Sequence, residues 1–228
     1  MYAYQPGALN EGMSDIIGAT MEYYLNDSND KPDFTLGENL IGGGQLEGFI
    51  LRFMESPKQD GKSIDNVCEF NNDMNVHYSS GVPNKAFTSS VRACQNSGCG
   101  NERECVLLMG PLYMYANIHG LTQLSGYLDA ASATCSLGPE YMARGTTSTT
   151  CSTAQAVQFV KQGWAAVGVT LADDCTASTT SGCVLPDTPA NGLGGCLGFI
   201  VGGLTSAYML VNGALEATVE FILGPFLD

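Results

Sequence analysis

Apolar side chains recur at helical spacing between residues 8 and 25. Glu11, Asp15 and Glu22 fall on a different face of the predicted helix. The apolar positions are Leu9, Met13, Ile16, Ile17, Thr20, Met21 and Tyr24. The pattern predicts an amphipathic helix over this stretch, with Asn10 as its candidate N-cap.

Further stretches of the chain are predicted as helices separated by long loops. The predicted helices cover residues 81–93, 104–118, 121–134 and 153–168, and the last opens with the capping sequence Ser152-Thr153. Residues 26–48 and 56–66 are rich in Asp, Asn, Lys, Ser and Gly, which is typical of loops. No stretch sustains the period-two alternation of a strand, so residues 1–169 are predicted to be mainly α.

The character of the chain changes after Val169. Residues 170–189 are rich in Thr, Ser, Asp and Pro and are predicted to form a linker. Residues 190–228 form a Gly-rich apolar tail, in which residues 190–215 carry no charge and no proline. That length could span a bilayer, but no Lys or Arg flanks the segment. A membrane anchor, a cleaved tail signal, a buried Gly-rich helix and a mistranslated gene end all stay open.

The charge balance restricts the partners of this protein. With 9 basic and 23 acidic residues, the formal net charge of the 228-residue chain is −14. Such a surface repels phosphates, and because no basic cluster is present we expect no binding of nucleic acid. The chain has 2 histidines, His77 and His119, and their separation excludes a local two-histidine metal motif.

Cysteine content favours an oxidising compartment. The 9 cysteines do not form paired C-x-x-C clusters, so disulfides outside the cell are the better interpretation. Residues 1–10 lack the basic and apolar regions of a signal peptide. The combination leads us to expect that the true N-terminus is missing.

Four motifs follow one another in the first 87 residues. They are G-A-L-N-E-G-M-S-D from Gly7, L-R-F-M-E-S-P from Leu51, D-G-K-S-I-D-N from Asp60 and N-V-H-Y-S-S-G-V-P-N-K-A-F from Asn75. In this order they resemble the C-terminal helical half of the thermolysin family of zinc endopeptidases, particularly its pseudolysin and vibriolysin branch. The resemblance covers residues 1–169 and is looser after Phe87. Acidic residues four apart are also common on solvated helix faces, so Glu11 and Asp15 alone would carry little weight.

The resemblance implies a role for each matched position. Glu11 matches the carboxylate that completes a zinc site with two histidines, and Asp15 matches the residue that orients one of those histidines. Arg52 and His77 match the donors to the oxyanion that forms when water attacks the peptide carbonyl. Tyr4 matches a tyrosine with the same task, although its link to the first motif is shorter than in the family.

Calcium is the second cofactor that the resemblance implies. Glu22, Asp33 and Glu38 are similar to carboxylates of the family's structural calcium site, and oxygen ligands on an acidic loop suit that ion. A solvated acidic loop is the alternative. Asn75 stands where related members carry an aspartate, and we expect the amide to weaken His77 as a donor near neutral pH.

The family's H-E-x-x-H helix does not occur in this sequence. We therefore expect the chain to be the C-terminal half of a secreted peptide hydrolase, inactive without its N-terminal half. A non-catalytic extracellular or cell-surface protein that retained the scaffold is the alternative. The resemblance also implies a disulfide between Cys135 and Cys175.

Overall fold

The computed structural model describes residues 2–27, 31–37, 50–145, 150–180 and 182–187. The predicted mainly α class is confirmed. The helices are α1 Tyr4–Leu25, α2 Val76–Ser79, α3 Gly81–Asn96, α4 Glu102–Gly120, α5 Tyr127–Ala143 and α6 Thr153–Ala165. The strands are β1 Thr35–Leu36, β2 Arg52–Phe53, β3 Val169–Leu171 and β4 Ala177–Thr179, and 3-10 turns cover Pro57–Asp60 and Val67–Glu69.

The first helix begins earlier than the apolar pattern predicts. The amide of Gly7 already donates to the carbonyl of Ala3 at 3.0 Å, so Asn10 lies inside α1 and its predicted capping role is wrong. Pro6 falls in the first turn, where a missing N–H costs no helical hydrogen bond. A Gln-Pro-Gly sequence that is typical of a loop therefore belongs to the helix.

The fifth helix is shifted relative to its prediction. Residues 121–126 form a turn, in which the Ser125 amide donates to the Thr122 carbonyl, and α5 begins only at Tyr127. Its first turn is closed by Asp129, whose side chain accepts from the Gly126 amide at 2.8 Å. The helix then continues through Pro139 to residue 143. The α6 cap is as predicted, because the Ser152 hydroxyl accepts from the Gln155 amide.

The five longer helices surround one hydrophobic core. Trp164, Tyr115, Tyr127, Tyr141 and Phe87 are its largest fully buried side chains. Close helix crossings depend on glycine: a methyl group on Gly110 of α4 would overlap the Thr20 side chain of α1. Helix α1 is therefore packed inside the bundle, which fixes the position of the residues it carries.

The stretch predicted as a linker carries secondary structure in the residues that the structure describes. Strand β3 pairs antiparallel with β4, with Val169 opposite Thr179. Residues 169 and 171 are buried and residue 170 is exposed, an alternation too short to outweigh the Thr/Ser-rich composition. The disulfide Cys135–Cys175, which the resemblance implied, is present, and so are Cys68–Cys183 and Cys94–Cys105.

The apolar segment 190–215 and the rest of the tail lie outside the described residues. Among the helices that the structure describes, none is long and apolar enough to cross a bilayer.

Candidate functional site

The Glu11 carboxylate lies at the centre of a polar cluster. Its Oε1 atom accepts a hydrogen bond from the Tyr2 hydroxyl. Its Oε2 atom lies 2.5 Å from His77 Nδ1 and 3.4 Å from Arg52 Nη2. Three groups that can donate protons to hydrogen bonds thus converge on one anion. They come from residues 2, 52 and 77, which are far apart in the sequence.

Each of these side chains is presented by a different element. Glu11 lies in α1, Arg52 in β2, which pairs with β1, and His77 in α2. The Asn75 side chain accepts from the His77 backbone amide at 2.9 Å and so caps α2. Asn75 therefore fixes the start of the short helix that carries the histidine ring.

Close approach of α1 to α2 and α3 brings the cluster together. A methyl group on Gly7 would meet the Val76 side chain, and one on Gly12 would overlap Pro83. These two glycines flank Glu11 on the helix and allow the neighbouring backbones to come near it. The sequence motif Gly-Ala-Leu-Asn-Glu-Gly thus serves packing as well as chemistry.

A buried charged layer lies beneath Glu11, one helical turn further along α1. The Asp15 side chain is 6% exposed and accepts from Asn84 Nδ2 at 2.7 Å. Arg52 Nε lies 2.8 Å from the same Asp15 oxygen. Burial raises the pKa of Asp15, while the positive charge of Arg52 and the Asn84 hydrogen bond oppose that rise. Arg52 therefore connects Glu11 and Asp15 of α1.

The tyrosine that contacts Glu11 is Tyr2, whereas Tyr4 packs against the hydrophobic core. Desolvation of the hydroxyl and its bond to Glu11 raise the pKa of Tyr2 above its ordinary value of 10.0, so the phenol, which is protonated at neutral pH in any case, also stays a donor at alkaline pH. The resemblance pointed to Tyr4, two residues later in the chain, and a catalytic role for that residue stays a prediction.

His119 has a different environment. It lies in the last turn of α4, with its ring 4.2 Å from the ring of Tyr115. It lines an open groove together with Leu124, Asp129 and Leu137, and none of Glu11, Arg52 or His77 lines that groove. The two histidines therefore do not face one shared site.

The described residues do not supply a complete metal site. They contain no group of three or more His, Cys, Asp or Glu that could hold an ion. A catalytic zinc takes three protein ligands, so Glu11 on its own does not fit that requirement. At the predicted calcium site, Asp33 Oδ1 accepts from the Thr35 amide at 2.6 Å and from the Thr35 hydroxyl at 2.7 Å. Glu38 lies outside the described residues.

Comparison with known proteins supports the resemblance that the four sequence motifs indicate. Residues 1–169 match the family described as "Thermolysin metallopeptidase, alpha-helical domain". The chain is 39% identical over 89 residues to a "Neutral protease" of Vibrio proteolyticus, covering 38% of this chain and 13% of the relative. It is 29% identical over 177 residues to a "Thermolysin" of Alicyclobacillus acidocaldarius, covering 74% of this chain and 29% of the relative.

A third relative, a "Virulence metalloprotease" of Vibrio anguillarum, is 38% identical over 89 residues, which are 38% of this chain and 13% of that protein. This chain therefore spans less than a third of the length of each of these relatives. The family match extends over most of the chain and includes the whole polar cluster around Glu11. The chain belongs to the family of the α-helical domain of thermolysin metallopeptidases.

Proposed function

We propose that this chain is the helical part of a zinc-dependent endopeptidase, in which Glu11, Arg52 and His77 act on a peptide bond together with Tyr2. The observation that carries the proposal is the convergence of three hydrogen-bond donors on the Glu11 carboxylate. A cluster of donors around one anion is suited to a second anion that forms beside it during a reaction.

The donors differ in what each would contribute to hydrolysis. Attack of water on a peptide carbonyl places a negative charge on the carbonyl oxygen. The guanidinium of Arg52 carries a permanent positive charge and several N–H donors, so it would stabilise that oxygen at any working pH. The side chains of His77 and Tyr2 are about half exposed, so a substrate can reach them. Removing one such donor typically costs a rate factor of about 10² to 10³.

Zinc enters the proposal through Glu11, which would be one oxygen ligand. The two histidine ligands that the resemblance implies would come from outside the described residues. Asp15, buried one turn away, would support one of them. A calcium site at Glu22, Asp33 and Glu38 remains a prediction.

Location outside the cell is part of the proposal. Three disulfides join six cysteines of the described chain, as expected for a protein that folds in an oxidising compartment. Its substrate would be a peptide or protein that this compartment supplies.

A non-catalytic protein that kept the scaffold is the second candidate. It is favoured by one observation, the absence of a three-ligand metal group among the described residues. The genomic sequence upstream of the codon for Met1 separates the two candidates. An in-frame H-E-x-x-H segment is expected for the peptidase, and intergenic sequence or a stop codon would contradict it.

The protein encoded by that gene is then tested for hydrolysis of a fluorogenic peptide. We expect hydrolysis to require zinc and to be abolished by Glu11→Gln. The matched control is Glu140→Gln on α5, whose side chain contacts Tyr115 and Arg144 outside the cluster. Equal rates for the two variants would refute the role of Glu11.

A further inference from the structure

The residues that follow strand β4 cross back toward the candidate site. We call residues 183–187 the strap. It begins at Cys183, which forms a disulfide with Cys68 inside the 3-10 turn Val67–Glu69. The Cys183 carbonyl also accepts from the Thr179 hydroxyl at 2.8 Å. The start of the strap is therefore held both to its own hairpin and to the stretch before α2.

One contact joins the strap to the first turn of α1. The Pro186 carbonyl accepts from Gln5 Nε2 at 3.2 Å. The other end of the same amide, Gln5 Oε1, accepts from the Tyr127 backbone amide at 3.0 Å. Because Gln5 is only 5% exposed, both polar ends of its side chain need these partners.

A second contact joins the strap to the loop before α2. The Asp187 carbonyl accepts from Asn72 Nδ2 at 3.3 Å. Asn72 is three residues before Asn75, the cap of the helix that carries His77. The strap therefore contacts the start of α1, which carries Glu11, and the loop before α2, which carries His77. The side chains of these two residues lie 2.5 Å apart.

We propose that the strap is a positioning element, which holds the start of α1 and the loop before α2 in the relative placement that brings His77 onto Glu11. Gln5 and Glu11 are six positions apart in one continuous helix, a rise of about 9 Å, so a shift at Gln5 is transmitted along the helix as a rigid body. The residues from Asn72 to the Asn75 cap precede α2 and are not part of a helix, and the strap supplies a fixed point for them.

The strap acts through its backbone and its disulfide. Both hydrogen bonds to the strap use carbonyl oxygens, and the side chain of Val184 is 88% exposed. As a role in peptide hydrolysis this inference rests on the proposed function. The placement of His77 can nevertheless be measured without any hydrolysis, so failure of one proposal is distinguishable from failure of the other.

The test uses nuclear magnetic resonance on the complete 228-residue chain. Its 2 histidines give two sets of imidazole signals, and His119 serves as an internal reference because it packs against Tyr115. In the double variant Cys68→Ser and Cys183→Ser, we expect the His77 signals to move and those of His119 to keep their positions. Amide hydrogen exchange at residues 4–11 and 71–77 should accelerate by about tenfold.

Asn72→Ala is the second variant, which leaves the disulfide intact and removes one contact of the strap. It should move the His77 signals in the same direction as the double variant does, but to a smaller extent. If the double variant does not fold, Asn72→Ala alone tests whether the strap positions His77. The control is Val184→Ser, an exposed change in the strap that should alter neither readout. Unchanged His77 signals and exchange rates in Asn72→Ala, or equal displacement of His77 and His119, would overturn the proposal.

Discussion

Replacement of Arg52 by methionine tests the charged layer beneath the site. Methionine keeps an unbranched side chain as far as the position of Nε but removes the guanidinium group and its positive charge. Asp15, which is 6% exposed, would then keep the hydrogen bond from Asn84 and lose the cation 2.8 Å away. A buried carboxylate left without its counter-charge is strongly destabilising.

The size of the effect follows from burial. Removing one partner of a fully buried ion pair costs about 3–5 kcal/mol of unfolding free energy. The Arg52 side chain is 18% exposed, so water screens the pair in part. We therefore expect a loss near the lower end of that range, about 3 kcal/mol at pH 7.

The loss of unfolding free energy in Arg52→Met should depend on pH, and the pKa of Asp15 gives the direction of that dependence. Because burial raises its pKa above the ordinary 3.8, the folded state binds this proton more tightly than the unfolded state does. The contribution of Asp15 to stability is thus complete below pH 3.8 and declines as the pH rises through the folded pKa. Without Arg52 that folded pKa is higher still, so more stability is lost before neutral pH is reached. The variant should be closer to wild type at about pH 4 than at pH 7.

Urea unfolding at both pH values measures this difference. The matched control is Arg103→Met, because Arg103 donates to the carbonyls of Tyr23 and Tyr24 and has no carboxylate partner in those bonds. Its loss should be smaller and nearly independent of pH. Adding Asp15→Asn to Arg52→Met should restore part of the stability. A loss below about 1 kcal/mol at pH 7, or an equal loss at both pH values, would refute the reasoning.

Two further predictions concern the scaffold. Gly110→Ala should lower the unfolding free energy by about 1–3 kcal/mol, because the added methyl overlaps Thr20 where α1 crosses α4. Gly18→Ala is its control: with nothing within 4 Å of the new methyl, it should stabilise α1 by about 0.5–1 kcal/mol, as thermal unfolding of both variants would show. Ser152→Ala removes the hydroxyl that caps α6 through the Gln155 amide and should cost about 1 kcal/mol in urea unfolding. An unchanged midpoint would show that the cap is dispensable.

Much of the helical fold was predictable because its signals are local. The Ser152 cap marked the start of α6, and apolar spacing identified α1. The helix boundaries that were predicted wrongly depend on tertiary context. Pro6 is acceptable in α1 only because it falls in the first turn. Pro139 lies within α5, which packing and the disulfide at Cys135 hold in place. In residues 121–134, the turn pair Ser125-Gly126 with Asp129 three residues after the glycine was the local signal for the start of α5, and apolar spacing alone overlooks it.

Three members of the candidate site were predictable, whereas Tyr2 and the contacts among the side chains were not. Motif order identified Glu11, Arg52 and His77, and the structure brings the three together. The contact between Asn84 and Asp15 depends on how closely α3 and α1 approach, and the one between Tyr2 and Glu11 depends on how the residues before α1 lie against that helix. The distance between neighbouring helices is set by packing at small side chains, and no single motif predicts it.

The two disulfides that join the β3–β4 hairpin region to the helices affect how the domain can be produced. A recombinant fragment ended at residue 169, where the family match stops, would lack the partners of Cys68 and Cys135. Two orphaned thiols in an oxidising medium can exchange with other chains and yield crosslinked oligomers. The boundary suited to expression therefore lies after the strap, some eighteen residues beyond the one that sequence similarity indicates.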